Sequence, residues 1–225
     1  MKVMFITSVM KVATLNVKRT SESSRLTTFI SSLDVDVIMF QEATQSTTKQ
    51  VSVQLEMNYV MYRGLAVLSK HIIQKLDTLD LGRMWKGALK VRVMKRTISV
   101  VHLEHEYENI RYEQMGKLES FIDDCDIVAG DFNDIYLEEY TEDEISTLES
   151  SRREVGLKPM TGRVMRKFVT YGFTIGDRIG NTTPYHTRVD YITFKNHNVL
   201  DNQLIDCIKT GLSDHNMVYM TLKRK

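Results

Sequence analysis

The chain has little of what would mark it for the cell exterior, a membrane or a repeat array. Of its 225 residues two are cysteine, two proline and one tryptophan. Cys125 and Cys207 are too few and too far apart for a disulfide framework or a zinc cluster, so they read as buried free thiols in a reducing compartment. No apolar stretch approaches the length of a membrane span. The opening Met1 to Met10 is apolar but short, carries Lys2 and lacks a small-residue cleavage site, and reads as a first strand or short extension. The expectation is therefore an intracellular protein, cytoplasmic or nuclear, without a membrane anchor. Neither sign of charge dominates: 30 Lys and Arg stand against 29 Asp and Glu. Any field that attracts phosphate must then be local. Internal repeats and low-complexity tracts are missing too.

What is present is a chain rich enough in apolar residues, at 42%, to bury a sizeable core, and no linker divides it; one domain over residues 1–225 is expected. Short β-rich runs alternate with helical stretches. Lys11 to Val17 reads as a strand, Ser21 to Leu33 as a capped helix, and Val35 to Phe40 as a buried strand. Thr44 to Met57 is helical, and Tyr59 to Tyr62 and Leu65 to Leu68 pair around Gly64. A second hairpin joins Leu89–Val93 to Thr97–Leu103. Tyr107 to Ile122 is an amphipathic helix leading into the strand Asp126 to Ala129. Glu138 to Val155, acidic first and basic last, suits a solvated helix aligned with its dipole. Lys158 to Thr187, holding both prolines, reads as mostly loop with one short strand near Phe168 to Phe173. Arg188 to Phe194, Val199 to Ile208 and His215 to Leu222 finish the chain as strands.

Polar groups cluster where these apolar runs end. Leu15-Asn16-Val17, Phe40-Gln41-Glu42, Gly130-Asp131-Phe132-Asn133, Arg188-Val189-Asp190-Tyr191 and Ser213-Asp214-His215 each deliver an acid, amide or imidazole to a strand end. Singly, each also reads as a turn, a cap or a surface pair; together and in this order they suit metal-assisted phosphoester hydrolysis. An oxygen-only set of Glu42, Asp131, Asp214 and the amide oxygen of Asn16 favours Mg²⁺, with Mn²⁺ as substitute, over zinc. Asp131 can orient and deprotonate a water, and His215 as an imidazolium can stabilise a phosphorane-like state, with Asp190 fixing its tautomer.

The ordered set resembles the endonuclease/exonuclease/phosphatase superfamily over nearly the whole chain. Besides those runs, Gly64-Leu65-Ala66-Val67-Leu68-Ser69 and Val101-His102-Leu103-Glu104 match its motifs. The resemblance implies an α/β fold, a four-layer sandwich of two mixed β-sheets flanked by helices, with a divalent-metal site at one edge. Carried over by position, it implies Glu42 as principal metal ligand with Asn16 beside it and Asp214 supporting the ion. Asp131 would activate the water, Asn133 hold the scissile phosphate, His215 held by Asp190 stabilise the pentacovalent state, and His102 act as a second imidazole on the phosphate. His71, His105, His186 and His197 match no motif and are left as structural.

Departures from the pattern narrow the branch. Val17-Lys18-Arg19 follows the first motif where an acid or amide is usual, and His102-Leu103-Glu104 replaces the third motif of abasic-site repair enzymes. The match is closer to the branch holding tyrosyl-DNA phosphodiesterases, deoxyribonuclease-like enzymes, deadenylases and neutral sphingomyelinases. Lys18 and Arg19 beyond Asn16, with Arg163, Arg166 and Lys167 in the expected long loop, favour nucleic acid as substrate. A sphingomyelinase-like or inositol-phosphate hydrolase, or a noncatalytic module on the same fold, is the alternative.

Overall fold

The computed structural model describes residues 9–154, 156 and 158–225. The part of the expected first strand or extension from Met1 to Ser8 lies outside the described residues, as do Val155 and Leu157. Two six-stranded sheets carry the architecture. In the first, β1 (Val9–Asn16) runs parallel to β2 (Val37–Gln41), and Asn16 and Gln41 form their last pair. Outside β1 lie β12 (Met217–Arg224) and then β11 (His197–Ile205); outside β2 lie β4 (Leu65–Ser69) and then β3 (Asn58–Tyr62).

In the second sheet β7 (Arg96–His102) runs parallel to β8 (Ile127–Asp131). β6 (Gly87–Val93) and β5 (Gln74–Asp80) extend one side, and β10 (Asp190–Phe194) and β9 (Thr174–Ile175) the other.

Burial on both faces explains the sequence of the inner strands. β2, β4, β7, β8 and β10 are buried at every position, which is why they read as near-continuous rather than alternating apolar runs. Between the sheets Met10, Val12, Met39, Val67, Val91, Val100, Ala129, Ile192 and Met220 share one core. Outside the first sheet, Leu26 and Ile30 of α1 (Ser23–Ser31) and Val51 of α2 (Gln45–Gln54) cover Leu15, Ile38 and Phe40. Outside the second, Met115, Leu118 and Ile122 of α3 (Glu108–Ile122) share a cluster with Val101, Val128 and Tyr191. The result is the expected four-layer α/β sandwich with helices on both outer faces.

Three local readings change. The segment around Phe168 is α5 (Arg163–Thr170) and not loop and strand. Its cap is remote: Asp134 Oδ2 accepts the Val164 and Met165 N–H at 2.9 and 3.4 Å, so no local cap marks its start. The acidic stretch begins as a 3-10 turn at Leu137–Glu139 before α4 (Glu142–Glu154). β5 was not anticipated; it is a polar edge strand in which no residue is fully buried, a composition that discourages further pairing. Cys125 and Cys207 are free and buried, as expected. No described helix is long and apolar enough to cross a membrane.

Candidate active site

The carboxyl ends of both parallel strand pairs open at one edge of the sandwich, and there the polar residues meet. In the second sheet a single row carries the chemistry: Gly87 pairs His102, His102 pairs Asp131, and Asp131 pairs Asp190. Gly130 makes that row possible. At φ +144° it lies against β7 so closely that a Cβ there would stand 2.0 Å from the Val101 carbonyl oxygen, a space only glycine fits. In the first sheet Glu42 follows the last residue of β2 at φ +54°, which breaks the strand and turns the side chain inward.

Asn16 joins the two sheets. Its Nδ2 donates to Asp131 Oδ2 at 3.1 Å and approaches Glu42 Oε1 at 3.5 Å. The amide oxygen, expected to face a metal, instead accepts the Lys18 N–H at 3.0 Å. Lys18 and Arg19 are the central residues of a turn closed by Thr20 N–H on the Val17 carbonyl, and both have positive φ, as a type I′ turn requires. The turn aims both cations at acids. Lys18 Nζ lies 2.7 Å from Asp214, and Arg19 Nε lies 3.5 Å from Glu42 while its guanidinium stacks over Trp85.

Asp131 is 2% exposed. Burial alone would raise its pKa, but the positive charges of His215 and Lys86 and the Asn16 hydrogen bond lower it on balance, so it stands as a carboxylate. Its Oδ1 accepts the Asn133 N–H at 3.0 Å. Asn133 donates from its side chain to the Leu103 carbonyl at 3.1 Å, which leaves one amide hydrogen and its oxygen for a ligand.

Asp190, wholly buried, accepts from His215 Nδ1 at 2.8 Å. Burial works against a charge on His215, yet Asp190, Asp131 and Asp214 outweigh it and bring the imidazole to a pKa of about 10. The ring is an imidazolium at neutral pH. Ser213 explains its place beside Asp214 and His215: its hydroxyl donates to the Asn16 carbonyl at 2.6 Å and accepts the His215 N–H at 3.1 Å, pinning the loop to the end of β1.

His102 lies in the same row, as enclosed as Asp131. It is 1% exposed, its Nε2 is in contact with Lys86 Nζ, and it stands 3.5 Å from Asp131 Oδ2. Burial and the Lys86 charge depress its pKa to about 3, so it is neutral and sits behind Asp131. Arg163, Arg166 and Lys167 are engaged elsewhere. They lie on α5, where Arg163 and Lys167 stack on Tyr112 and Arg166 pairs with Glu138.

Several groups escaped the sequence reading. Lys86 and Trp85 come from the β5–β6 turn, in a stretch without recognisable periodicity; the chain's one tryptophan was the available signal. His105 and His186 border a cavity of about 380 Å³ beside Asn133 and His215. Asp131, Asp190 and His215 bring three ligand atoms within 4.8 Å of one another. Oxygen donors dominate this edge, so Glu42, Asn16 and Asp214 beside that group fit a hard divalent ion.

Residues 13–215 match the model of the Endonuclease/Exonuclease/phosphatase family. Among curated proteins none matches. Solved structures resemble the fold at low identity. The endonuclease/exonuclease/phosphatase from Beutenbergia cavernae is 15% identical with a TM-score of 0.70, over 96% of this chain and 72% of that one. The 3'-5' exonuclease NExo from Neisseria meningitidis is 14% identical with a TM-score of 0.71, over 96% and 100%. TDP2 from D. rerio, complexed with single strand DNA product, is 17% identical with a TM-score of 0.65, over 96% and 99%.

Proposed function

Because the chain belongs to the Endonuclease/Exonuclease/phosphatase family, whose members hydrolyse phosphoester bonds, we propose that it is a divalent-metal-dependent phosphodiesterase acting on nucleic acid. The observation that carries this reading is the cluster of Asp131, Asp190 and His215 beside Asn16 and Glu42 at the sheet edge. A carboxylate kept ionised beside an imidazolium is the pair that hydrolysis at phosphorus needs: one to prepare the water, one to meet negative charge.

Glu42 would hold the ion, with Asn16 and Asp214 beside it, once Lys18 and Arg19 yield their carboxylates. The Asn16 amide would also have to turn its oxygen away from the Lys18 N–H. When bound, Mg²⁺ or Mn²⁺ polarises the phosphoryl oxygen and offsets charge that builds on it. Asp131, fixed by Asn16 and the Asn133 N–H, accepts a proton from the attacking water. His215, fixed by Asp190, donates a hydrogen bond to a phosphoryl oxygen. The free amide hydrogen of Asn133 serves the same phosphate. Lys18 and Arg19 reach a bound polyanion from the rim.

Nucleic acid is favoured over a lipid headgroup because Lys18 and Arg19 sit at this edge, and among proteins of like fold one is described as a 3'-5' exonuclease and another holds a single strand DNA product. A substrate panel in Mg²⁺ tests the reading: single-stranded DNA, polyadenylated RNA, a 5′-tyrosyl oligonucleotide, sphingomyelin and a small chromogenic phosphodiester. Hydrolysis of at least one nucleic-acid substrate, abolished by EDTA, is the expected result. Turnover of sphingomyelin alone, or turnover that survives EDTA, would overturn it.

A further inference from the structure

Lys86 is a buried cation with no role in the scheme above. It closes the β5–β6 turn, its N–H donating to the Arg83 carbonyl at 3.1 Å. It stands one residue before Gly87, a member of the row that continues through His102 and Asp131. The residue is 7% exposed, and its Nζ contacts His102 Nε2. Among the described residues no carboxylate oxygen lies within 4.0 Å of that nitrogen. An ammonium has three donors and no lone pair, so a charged Lys86 makes His102 the acceptor and puts the imidazole hydrogen on Nδ1, a buried atom with no hydrogen-bond partner. Two donors of Lys86 are left without a recorded partner.

A buried ammonium with one neutral acceptor is a costly arrangement unless something anionic completes it. Burial accordingly lowers its pKa, while Asp131, Glu42 and Glu104 act on it through space in the opposite sense. Those acids already have partners: Asn16 touches Asp131, Arg19 pairs with Glu42 and Arg83 with Glu104. A phosphoryl oxygen held where water attacks beside Asp131 is the anion that would complete the ammonium's shell.

We propose that Lys86 is a catalytic cation of this site, donating to a nonbridging oxygen of the scissile phosphate, and that His102 is a positioning residue that holds Lys86 there as a neutral acceptor. This assignment rests on the phosphodiesterase reading and gives Lys86 the part that His102 was expected to play. A competing role is open to test, in which Lys86 is only a counter-ion for the carboxylates. The two differ in sign toward a metal: a counter-ion competes with a cation for the acids, whereas a phosphate ligand does not.

The test compares the parent with Lys86→Met and Lys86→Arg. Inorganic phosphate affinity is measured in EDTA by ³¹P NMR, Mn²⁺ affinity by electron paramagnetic resonance, and kcat and KM on the oligonucleotide cleaved by the parent. A charge-assisted hydrogen bond predicts that Lys86→Met weakens phosphate binding about 10-fold or more. It should lower kcat more than it changes KM, leave Mn²⁺ affinity within about twofold and leave Tm unchanged or raised, because a poorly partnered buried charge has gone. Lys86→Arg should restore part of both losses. If methionine is not tolerated, His102→Gln, which keeps an acceptor, should retain phosphate affinity where His102→Phe loses it. Unchanged phosphate affinity in Lys86→Met, or a tenfold gain in Mn²⁺ affinity with kcat intact, would overturn the assignment. Absence of any hydrolysis by the parent would instead strike at the phosphodiesterase reading, and the phosphate titration would still decide Lys86.

Discussion

Asp190 and His215 act on one another at 2.8 Å, inside a wall that leaves the carboxylate no exposure. Removing either partner strands the other: without Asp190 the imidazole loses its charge and its orientation, and without His215 a buried carboxylate loses its cation. Their effects on rate should therefore overlap. Asp190→Ala and His215→Ala are each expected to lower kcat by about 10²–10⁴-fold, and the double variant should be little worse than the poorer single one. Losses that multiply in the double-mutant cycle would show that the two work separately. His102 gives the complementary lesson. It stands in the motif, yet burial and the neighbouring Lys86, which no motif marks, hold it neutral.

At the scale of the strand, Gly130 decides whether β7 and β8 can approach and so whether Asp131 reaches His102 and Asn16. Gly130→Ala would force both the φ of +144° and the contact with Val101. A loss of about 3 kcal/mol or more is expected by denaturant unfolding; a loss under about 1 kcal/mol would mean that the strands can separate freely.

The elements that could be read in advance share one property. β1, β2, β4, β7 and β8 are apolar runs whose burial is dictated by composition, and α3 shows helical spacing. Those that could not be read depend on distant partners. α5 starts at a glycine and takes its cap from Asp134, about thirty residues earlier. β5 is polar because it is an edge, and polar strands look like loops. The site divides in the same way: strand-end acids were legible because apolar runs deliver them, while Lys86, His105 and His186 arrive on turns and loops without a pattern.

Across the whole molecule, charge is nearly balanced, at +1, so its pH response comes from individual buried groups. His102 is held to about 3 in the folded state, against an ordinary value near 6.5. Between about pH 6.5 and 3 the unfolded chain binds a proton that the folded chain refuses, so stability falls as pH falls through that window. His197, also lowered by burial, works in the same direction. His215, raised to about 10, has the opposite sign. Its stabilisation is full below about pH 6.5 and is lost as pH rises to 10. Metal-free protein should then show a maximum in Tm near neutral pH. His102→Gln should flatten the acid limb and His215→Gln the alkaline one. An acid limb unchanged by His102→Gln would place its titration elsewhere.

The balance also limits electrostatic steering. If the proposed polyanion binds at Lys18 and Arg19, the contact is local and its salt dependence should be shallow. What the molecule offers a substrate is an assembled edge: two sheets whose parallel strands end together, linked there by Asn16 to Asp131 and by His215 to Asp190.

That assembly stands or falls on whether Glu42 is the hold for a divalent ion. The direct measurement is Mg²⁺-started hydrolysis of a labelled oligonucleotide by the parent and by Glu42→Gln, with circular dichroism confirming that both are folded. The expected result is a parent rate that saturates with Mg²⁺ and a variant at least about 100-fold slower in millimolar Mg²⁺. A variant that turns over like the parent at the same Mg²⁺ concentration would contradict it.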